Sequence, residues 1–248
     1  SKDAKLATHQ IVQTFKDVDT SPLNREEMHS LEVDKHMAMG IAAAYPPFYK
    51  TDFDQFSTFL TEQEFEFPFE GGGDTYGGII DGLVKDHAGD WWILETKTAA
   101  AQTLSGGYFD KVKIDSQVAG YMYGAKCILG EFPKGILYNV IKKPSIRLKK
   151  GESLVAFQKR IYEEYTKFGT EKAYFTRQEL MLAEHRIKSW YKDTSYLTKQ
   201  ITEKIKSKNK NWIMNTGACN ARFGTCEYMP ACTSNTYNPI LYEKGSGR

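Results

Sequence analysis

The sequence predicts an α/β fold, in which a central sheet is flanked by helices. Short apolar runs typical of strands alternate along the chain with longer segments that have helical periodicity. With 248 residues, 41% of them hydrophobic, the chain can bury a substantial core. We therefore expect one domain over residues 1–248, with a core at about 25–180 and a helical, cysteine-containing lobe at about 181–235.

The first predicted elements are a helix and a strand. The segment Asn24–Tyr45 is rich in Leu, Met and Ala, and Asn24 followed by Glu27 has the pattern of a capping box. The predicted helix ends before Pro46. In the segment Glu62–Glu70 phenylalanines alternate with polar residues, which predicts a half-buried strand.

A hairpin is predicted next. The run Gly77–Val84 is apolar except for Asp81, and Trp91–Thr98 is a second strand-like run. Between them, the segment Asp86–Asp90 contains the glycine and short polar residues of a hairpin loop.

Two carboxylates and a lysine are expected to converge on this hairpin. Glu95 and Lys97 lie two residues apart and so share one face of their strand, and Asp81 can lie opposite them. Burying these charges costs several kcal/mol unless they are paired or bound to metal. The pattern is open to two interpretations, a structural salt bridge or a site that holds a divalent cation beside a phosphodiester.

The elements that follow are mainly helical. Lys111–Cys127 is predicted as a helix that carries Gln117 and Tyr121 one turn apart on the same face. The apolar run Gly135–Ile141 predicts a strand. Long amphipathic helices are predicted at 153–168 and 178–205.

These motifs together resemble the PD-(D/E)xK nuclease superfamily, specifically its RecB-like exonuclease branch of phage and CRISPR-associated type. The matching elements are Asp81, the triplet Glu95–Lys97 and the helix motif Gln117–Tyr121, in that order. Ile80 stands where the superfamily's name-giving proline would precede the aspartate. The resemblance implies a restriction-endonuclease-like core with a mixed central β-sheet.

The resemblance also implies a metal-dependent chemistry. Asp81, Glu95 and the backbone carbonyl of Thr96 would hold Mg²⁺ or Mn²⁺, which prefer oxygen ligands. Lys97 would orient or deprotonate the attacking water, or offset charge on the phosphate.

Three further residues have expected roles at this site. Gln117 and Tyr121 would position the scissile strand. His29, on the first helix, resembles the histidine with which the branch reaches the metal from the other side. The alternative for His29 is an ordinary histidine on the polar face of its helix.

The implied activity is that of a DNA exonuclease acting from DNA ends in recombination, repair or phage DNA metabolism. The alternatives are a site-specific or structure-specific endonuclease of the same fold and a non-catalytic DNA-binding protein. The expected partner is DNA, with a recombinase, single-strand-binding protein or helicase as a further partner. No signal peptide or apolar stretch of membrane length is recognised, so we expect an intracellular protein, in the host cytoplasm if viral.

The cysteines suggest a second metal centre. Cys219, Cys226 and Cys232 fall close together in a loop-rich tail, where soft thiolates suit zinc or an iron–sulfur cluster. Several RecB-like exonucleases carry a [4Fe–4S] cluster with three ligands at similar spacing. Cys127 is the remaining thiol and therefore the possible fourth ligand, although a small thiol at a helix end is also ordinary core material.

The net charge of +2 is nearly neutral, so contacts to DNA must come from local patches. The basic stretch 142–150 follows a predicted strand, which places Lys142, Lys143 and Arg147 at a rim near the site. Arg177 ends a segment that resembles the family's short strand beside the DNA path. For each of these residues a solvated surface charge is the alternative.

Overall fold

The computed structural model describes residues 12–16, 18–70, 74–100, 107–207, 215–221, 224–234 and 236. Contacts within the chain divide it into two units, residues 1–199 and 200–248. The first unit is an α/β body built on a mixed sheet, as the sequence predicts at this coarse level. None of the described helices combines the length and apolar character needed to cross a bilayer.

The sheet has five strands in the order β1-β2-β3-β4-β5. The strands are β1 (Phe56–Pro68), β2 (Thr75–Asp86), β3 (Trp91–Ala99), β4 (Gly135–Lys142) and β5 (Phe175–Leu180). Only the pair β3–β4 is parallel, and the other three neighbouring pairs are antiparallel. A parallel pair needs a crossover connection, and the helices between β3 and β4 provide it.

The helix α1 (Arg25–Phe48) begins with the predicted capping box. The Asn24 side chain accepts hydrogen bonds from the Glu26 and Glu27 amides at 2.9 and 3.0 Å, and the Glu27 carboxylate accepts one from the Asn24 amide at 2.8 Å. The helix runs through Pro46 and Pro47 instead of ending before them. Both prolines lie in the last turn, where each removes one N–H donor, and the helix ends at the next residue, Phe48.

The short helix α2 (Asp52–Gln55) leads into β1, and the crossover contains α3 (Tyr108–Val112) and α4 (Ser116–Leu129). A single helix from Lys111 was predicted, but the helix is interrupted between Val112 and Ser116. Asp115 is extended, with φ −67° and ψ 133°, and its side chain caps α4 by accepting from the Gln117 amide at 2.7 Å.

The helices α5 (Leu154–Phe168) and α6 (Glu184–Lys206) complete the first unit, and α6 extends past its boundary. The predicted start of α6 at residue 178 is wrong. Residues 178–180 belong to β5, where Gln178 pairs with Tyr138 and Leu180 with Ile136. The pairing with a buried strand outweighs the local helical pattern.

The two larger apolar clusters among the described residues lie on opposite faces of the sheet. Helices α4 and α6 cover the first, and α1 and α5 cover the second. The first includes Phe65 and Phe67 from β1 and Phe69 just after it, and the intervening Glu66 and Pro68 are exposed as the alternation predicts. The second contains Phe157, Ile161 and Tyr165 from α5.

Close packing of α1 against α5 depends on Gly40. A Cβ atom at this position would lie 2.8 Å from the Gln158 carbonyl oxygen and 2.9 Å from Ile161 Cβ. We expect Gly40→Ala to lower the free energy of unfolding by about 1–3 kcal/mol in urea titrations, because overpacking outweighs the gain in helix propensity. Ser30→Ala, at an exposed position of α1, is the control and should not destabilise. Equal stability of the two variants would contradict this packing.

Within the second unit the described residues form small elements. These are a 3₁₀ turn (Thr216–Ala218), a two-stranded ribbon of β6 (Asn220–Ala221) and β7 (Gly224–Thr225), and the helix α7 (Met229–Ser234).

Candidate functional site

The site forms where strands β2 and β3 part. Their ladder pairs Lys85 with Trp91 and ends at the pair of Gly82 and Leu94. Beyond that point β2 remains paired with β1, and β3 with β4. Asp81 and Glu95 are the next residues of the two strands, so they face each other across the opening gap.

The Asp81 carboxylate replaces a strand partner at this gap. Its Oδ2 atom accepts a hydrogen bond of 2.9 Å from the backbone amide of Thr96. The amide is thereby satisfied by a side chain instead of by the neighbouring strand. The bond fixes Asp81 against the peptide that follows Glu95.

Glu95 is a buried carboxylate whose charge is only partly compensated. The residue is 1% exposed, and its Oε2 atom has no hydrogen-bond partner among the described residues. Lys97 Nζ forms an ion pair with the other oxygen, Oε1. Burial raises the pKa of Glu95 despite this lysine, and the nearby Asp81 charge raises it further. An acceptor that is buried and unsatisfied in this way is costly.

Lys97 remains charged beside these acids. Burial by itself lowers its pKa, but Glu95, with Tyr121 and Asp81 adding smaller effects, raises it overall. Its side chain is 35% exposed, so the ammonium group is accessible from solvent. Tyr121 has a raised pKa because of burial first and the Glu95 carboxylate second.

The predicted pair on α4 reaches the same place. Gln117 Nε2 donates a hydrogen bond of 3.1 Å to the Tyr121 hydroxyl, as their spacing of one helical turn predicts. Tyr121 lies within electrostatic range of Glu95, Lys97 and Asp81, whose charges act on the pKa of its phenol. The structure therefore brings together Asp81 and the other predicted residues of the core motif. These are Glu95, Thr96, Lys97, Gln117 and Tyr121.

Two glycines of α4 allow this helix to pack closely against the sheet. A Cβ atom at Gly120 would lie 2.6 Å from the Tyr76 hydroxyl, and one at Gly124 would lie 2.5 Å from a ring carbon of Phe65. The missing side chains let α4 rest directly on the rings of β1 and β2. This close approach places Tyr121, which lies between the two glycines in sequence, beside the gap.

A cavity of about 1000 Å³ reaches the gap at Asp81 and Thr96, and Glu95 and Lys97 are not among the described residues of its wall. Asp81 and Thr96 contribute to its wall, and most of the remaining wall is apolar. Helix α1 supplies Asp34, Met37, Ala38, Ile41, Ala42 and Tyr45. The sequence reasoning missed Asp34. Its spacing of three, four and seven residues from Met37, Ala38 and Ile41 is the signal that would have placed it on this face.

His29 is not part of this group. It is exposed near the start of α1 and lines a separate hollow of about 240 Å³ with Thr20, Met28 and Leu154. In the part of the chain that the structure describes, no three His, Cys, Asp or Glu side chains are arranged to hold a metal ion. Among the described residues, the carboxylates at the gap between β2 and β3 are those of Asp81 and Glu95.

Arg177 lies in an internal network. Its two terminal nitrogens donate to the two carboxylate oxygens of Asp52 at 2.7 and 2.8 Å, and its Nε donates to Asn139 Oδ1. The guanidinium also stacks 4.0 Å from the Tyr49 ring centre. The side chains of Arg177 and Asp52 are only 14% and 13% exposed.

Asn139 connects this network to Thr96 at the site. Its Nδ2 donates to the Tyr45 hydroxyl at 2.9 Å and to Thr96 Oγ1 at 3.3 Å. Thr96, Asn139 and Arg177 stand in register on β3, β4 and β5. They form a row across three strands, and the row ends at Thr96, whose backbone amide donates a hydrogen bond to Asp81.

The three basic residues expected at a DNA-facing rim differ in their contacts and exposure. Lys142 Nζ donates to the Lys172 carbonyl at 2.7 Å and lies over the Tyr174 ring. Lys143 is exposed and contributes to the wall of the cavity. Arg147 is exposed as well. Contact with DNA remains a prediction for all three.

The cysteines remain candidates for a metal centre. Cys127 lies exposed on α4 in the first unit. In the second unit, Cys219 and Cys226 are half-buried and Cys232 is exposed, and the Cys226 amide donates to the Cys219 carbonyl at 2.9 Å. The iron–sulfur or zinc site stays a prediction, because no metal-holding group forms among the described residues.

The sequence matches no family model and no curated protein. Among solved structures, the chain is similar to the one described as "Crystal structure of SSO0001", at 17% sequence identity and a TM-score of 0.27. The similarity covers 56% of this chain and 67% of the other. A TM-score this low supports no inference about function.

Proposed function

We propose that the protein is a metal-dependent DNA exonuclease that hydrolyses phosphodiester bonds from DNA ends. The observation that carries the proposal is the meeting of Asp81, Glu95 and Lys97 at the point where β2 and β3 part. The residues resemble the motif of the PD-(D/E)xK superfamily, and a restriction-endonuclease-like core is part of the proposal. Recombination, repair or phage DNA metabolism is its proposed setting.

The donor set fits Mg²⁺ or Mn²⁺. Glu95 is buried, and Lys97 pairs with its Oε1 atom, whereas Oε2 accepts no hydrogen bond among the described residues and would be satisfied by a cation. The Thr96 amide occupies Asp81 Oδ2 and orients the other carboxylate oxygen. Asp81, Glu95 and the Thr96 carbonyl would hold the ion, with water as further ligands, because these cations prefer oxygen.

The side chains around the gap have distinct proposed roles. The bound cation would lower the pKa of water and offset charge on the phosphate. Lys97, whose charged form is favoured by Glu95, would orient the attacking water or stabilise the negative charge that develops on the phosphate oxygens. Gln117 and Tyr121 would donate hydrogen bonds that hold the scissile strand in place.

The test compares purified protein on end-labelled linear DNA and on covalently closed circular DNA of the same sequence. We expect Mg²⁺ or Mn²⁺ to support progressive loss of nucleotides from the linear form, and EDTA to stop it. The closed circle should persist, because it offers no end.

Two outcomes would contradict the exonuclease proposal. Cleavage of the closed circle at comparable rates would indicate an endonuclease of the same fold. Binding of linear DNA with no metal-dependent turnover would indicate a non-catalytic DNA-binding protein.

A further inference from the structure

The ion pair between Arg177 and Asp52 is too enclosed to serve as a surface contact. All three nitrogens of the guanidinium already donate to Asp52 or Asn139, and one face of the group is covered by Tyr49. A bidentate arginine–carboxylate pair fixes geometry as well as charge. Arg177 therefore has little capacity left for a phosphate group.

The network around Arg177 is connected to the site through Asn139. Asn139 is 1% exposed and is held on one side by Arg177, so the direction of its amide group is determined. On the other side it donates to Thr96 Oγ1. The same threonine uses its backbone amide to hold Asp81. Thr96 is thus bonded to the network through its side chain and to the Asp81 carboxylate through its backbone amide, so the network can fix the orientation of Asp81.

We propose that the Arg177–Asp52 pair, acting through Asn139, positions the Thr96 peptide against Asp81 and so sets the geometry of the catalytic gap. The inference rests on the proposed function, since it treats Asp81 and the Thr96 carbonyl as cation ligands. Arg177, Asp52 and Asn139 are positioning residues in this scheme and do not touch the substrate. Groups behind a ligand shell commonly change metal affinity or activity by about 10–100-fold when they are replaced.

The two partners of the ion pair distinguish positioning from phosphate contact. Asp52→Asn releases Arg177 from its countercharge and leaves its positive charge in place. Arg177→Lys keeps the charge but loses the planar fork. If Arg177 positions Thr96, both variants should act in the same direction. If Arg177 binds phosphate, Asp52→Asn should strengthen DNA binding, and Arg177→Lys should weaken it.

The first measurement does not depend on catalysis. In protein labelled with ¹⁵N at threonine, hydrogen exchange of the Thr96 amide reports its bond to Asp81. We expect both variants to shift this resonance and to speed its exchange about tenfold or more, the loss of roughly one hydrogen bond. The matched control is Arg160→Lys, which alters another bidentate pair, with Glu152, and should leave the Thr96 amide unchanged.

The second measurement is Mn²⁺ binding by calorimetry, with kcat and KM on linear DNA measured alongside. Asp52→Asn and Arg177→Lys should each weaken Mn²⁺ binding and lower kcat about 10–100-fold, with little change in KM. DNA affinity in EDTA should keep its dependence on salt, because no phosphate contact is lost. Weaker DNA binding in EDTA by Arg177→Lys, with tighter DNA binding by Asp52→Asn, would overturn the inference.

A variant that breaks a buried ion pair can fail to fold. The double variant Asp52→Leu, Arg177→Met replaces both charges by apolar groups of similar size and should remain folded. It should still perturb the Thr96 amide, because the donor to Asn139 is gone. Thr96→Val, labelled with ¹⁵N at valine instead of threonine, removes only the hydroxyl that accepts from Asn139 and should show a smaller increase in amide exchange. An unchanged position 96 amide in both would overturn the inference, whereas a wild-type protein without metal-dependent cleavage would overturn the proposed function alone.

Discussion

Asp81→Asn is expected to reduce metal-dependent DNA hydrolysis about 10³-fold without unfolding the protein. The asparagine oxygen can still accept the hydrogen bond from the Thr96 amide, so the local structure should persist. The substitution removes the negative charge that would hold the cation, an interaction of several kcal/mol, and each 1.36 kcal/mol changes a rate tenfold. Initial rates on end-labelled DNA, with circular dichroism of the same samples, measure both effects.

The control for this prediction is Asp110→Asn. Asp110 is an exposed aspartate on α3 whose pair with Lys113 is a surface interaction of small energy. Its replacement should leave the rate unchanged. If Asp81→Asn degrades DNA as fast as the wild-type protein, Asp81 holds no essential cation and the nuclease proposal fails.

Glu95→Gln is expected to separate stability from activity. Lys97 pairs with one oxygen of the buried carboxylate, the other has no hydrogen-bond partner among the described residues, and the lysine offsets only part of the desolvation. A neutral amide of the same shape should raise the free energy of unfolding in metal-free buffer by about 1–3 kcal/mol. The loss of a cation ligand should at the same time lower the hydrolysis rate about 10³-fold.

Urea unfolding in EDTA and initial rates in Mg²⁺ measure the two sides of this trade-off. Glu179→Gln, at an exposed position of β5, makes the same chemical change outside the site and should alter neither quantity. A destabilised Glu95→Gln protein would mean that the ion pair with Lys97 outweighs the desolvation of the acid. Such a result would remove the argument that this carboxylate is built for a cation.

Local periodicity was sufficient to predict the contacts of the core motif. A period of two places Glu95 beside Lys97, the hairpin brings Asp81 opposite, and a period of one helical turn joins Gln117 to Tyr121. These relations need only short-range geometry. The capping box at Asn24 was predictable for the same reason.

The remaining features depend on contacts between distant parts of the chain. Arg177 meets Asp52 across 125 residues, and Asn139 meets Thr96 across 43, so no local pattern announces either bond. The register that aligns these residues is set only when β3, β4 and β5 pair. The sequence therefore predicts Arg177 as a DNA contact or a solvated surface charge, whereas tertiary pairing makes it part of an internal network.

The two glycines on the sheet-facing side of α4 limit which substitutions this protein can tolerate. Neither Gly120 nor Gly124 carries a functional group, yet any β-carbon there would lift the helix from Tyr76 and Phe65 and carry the Tyr121 phenol away from the gap. In a saturation-mutagenesis map scored for DNA turnover, we therefore expect both positions to be as intolerant as the acids themselves.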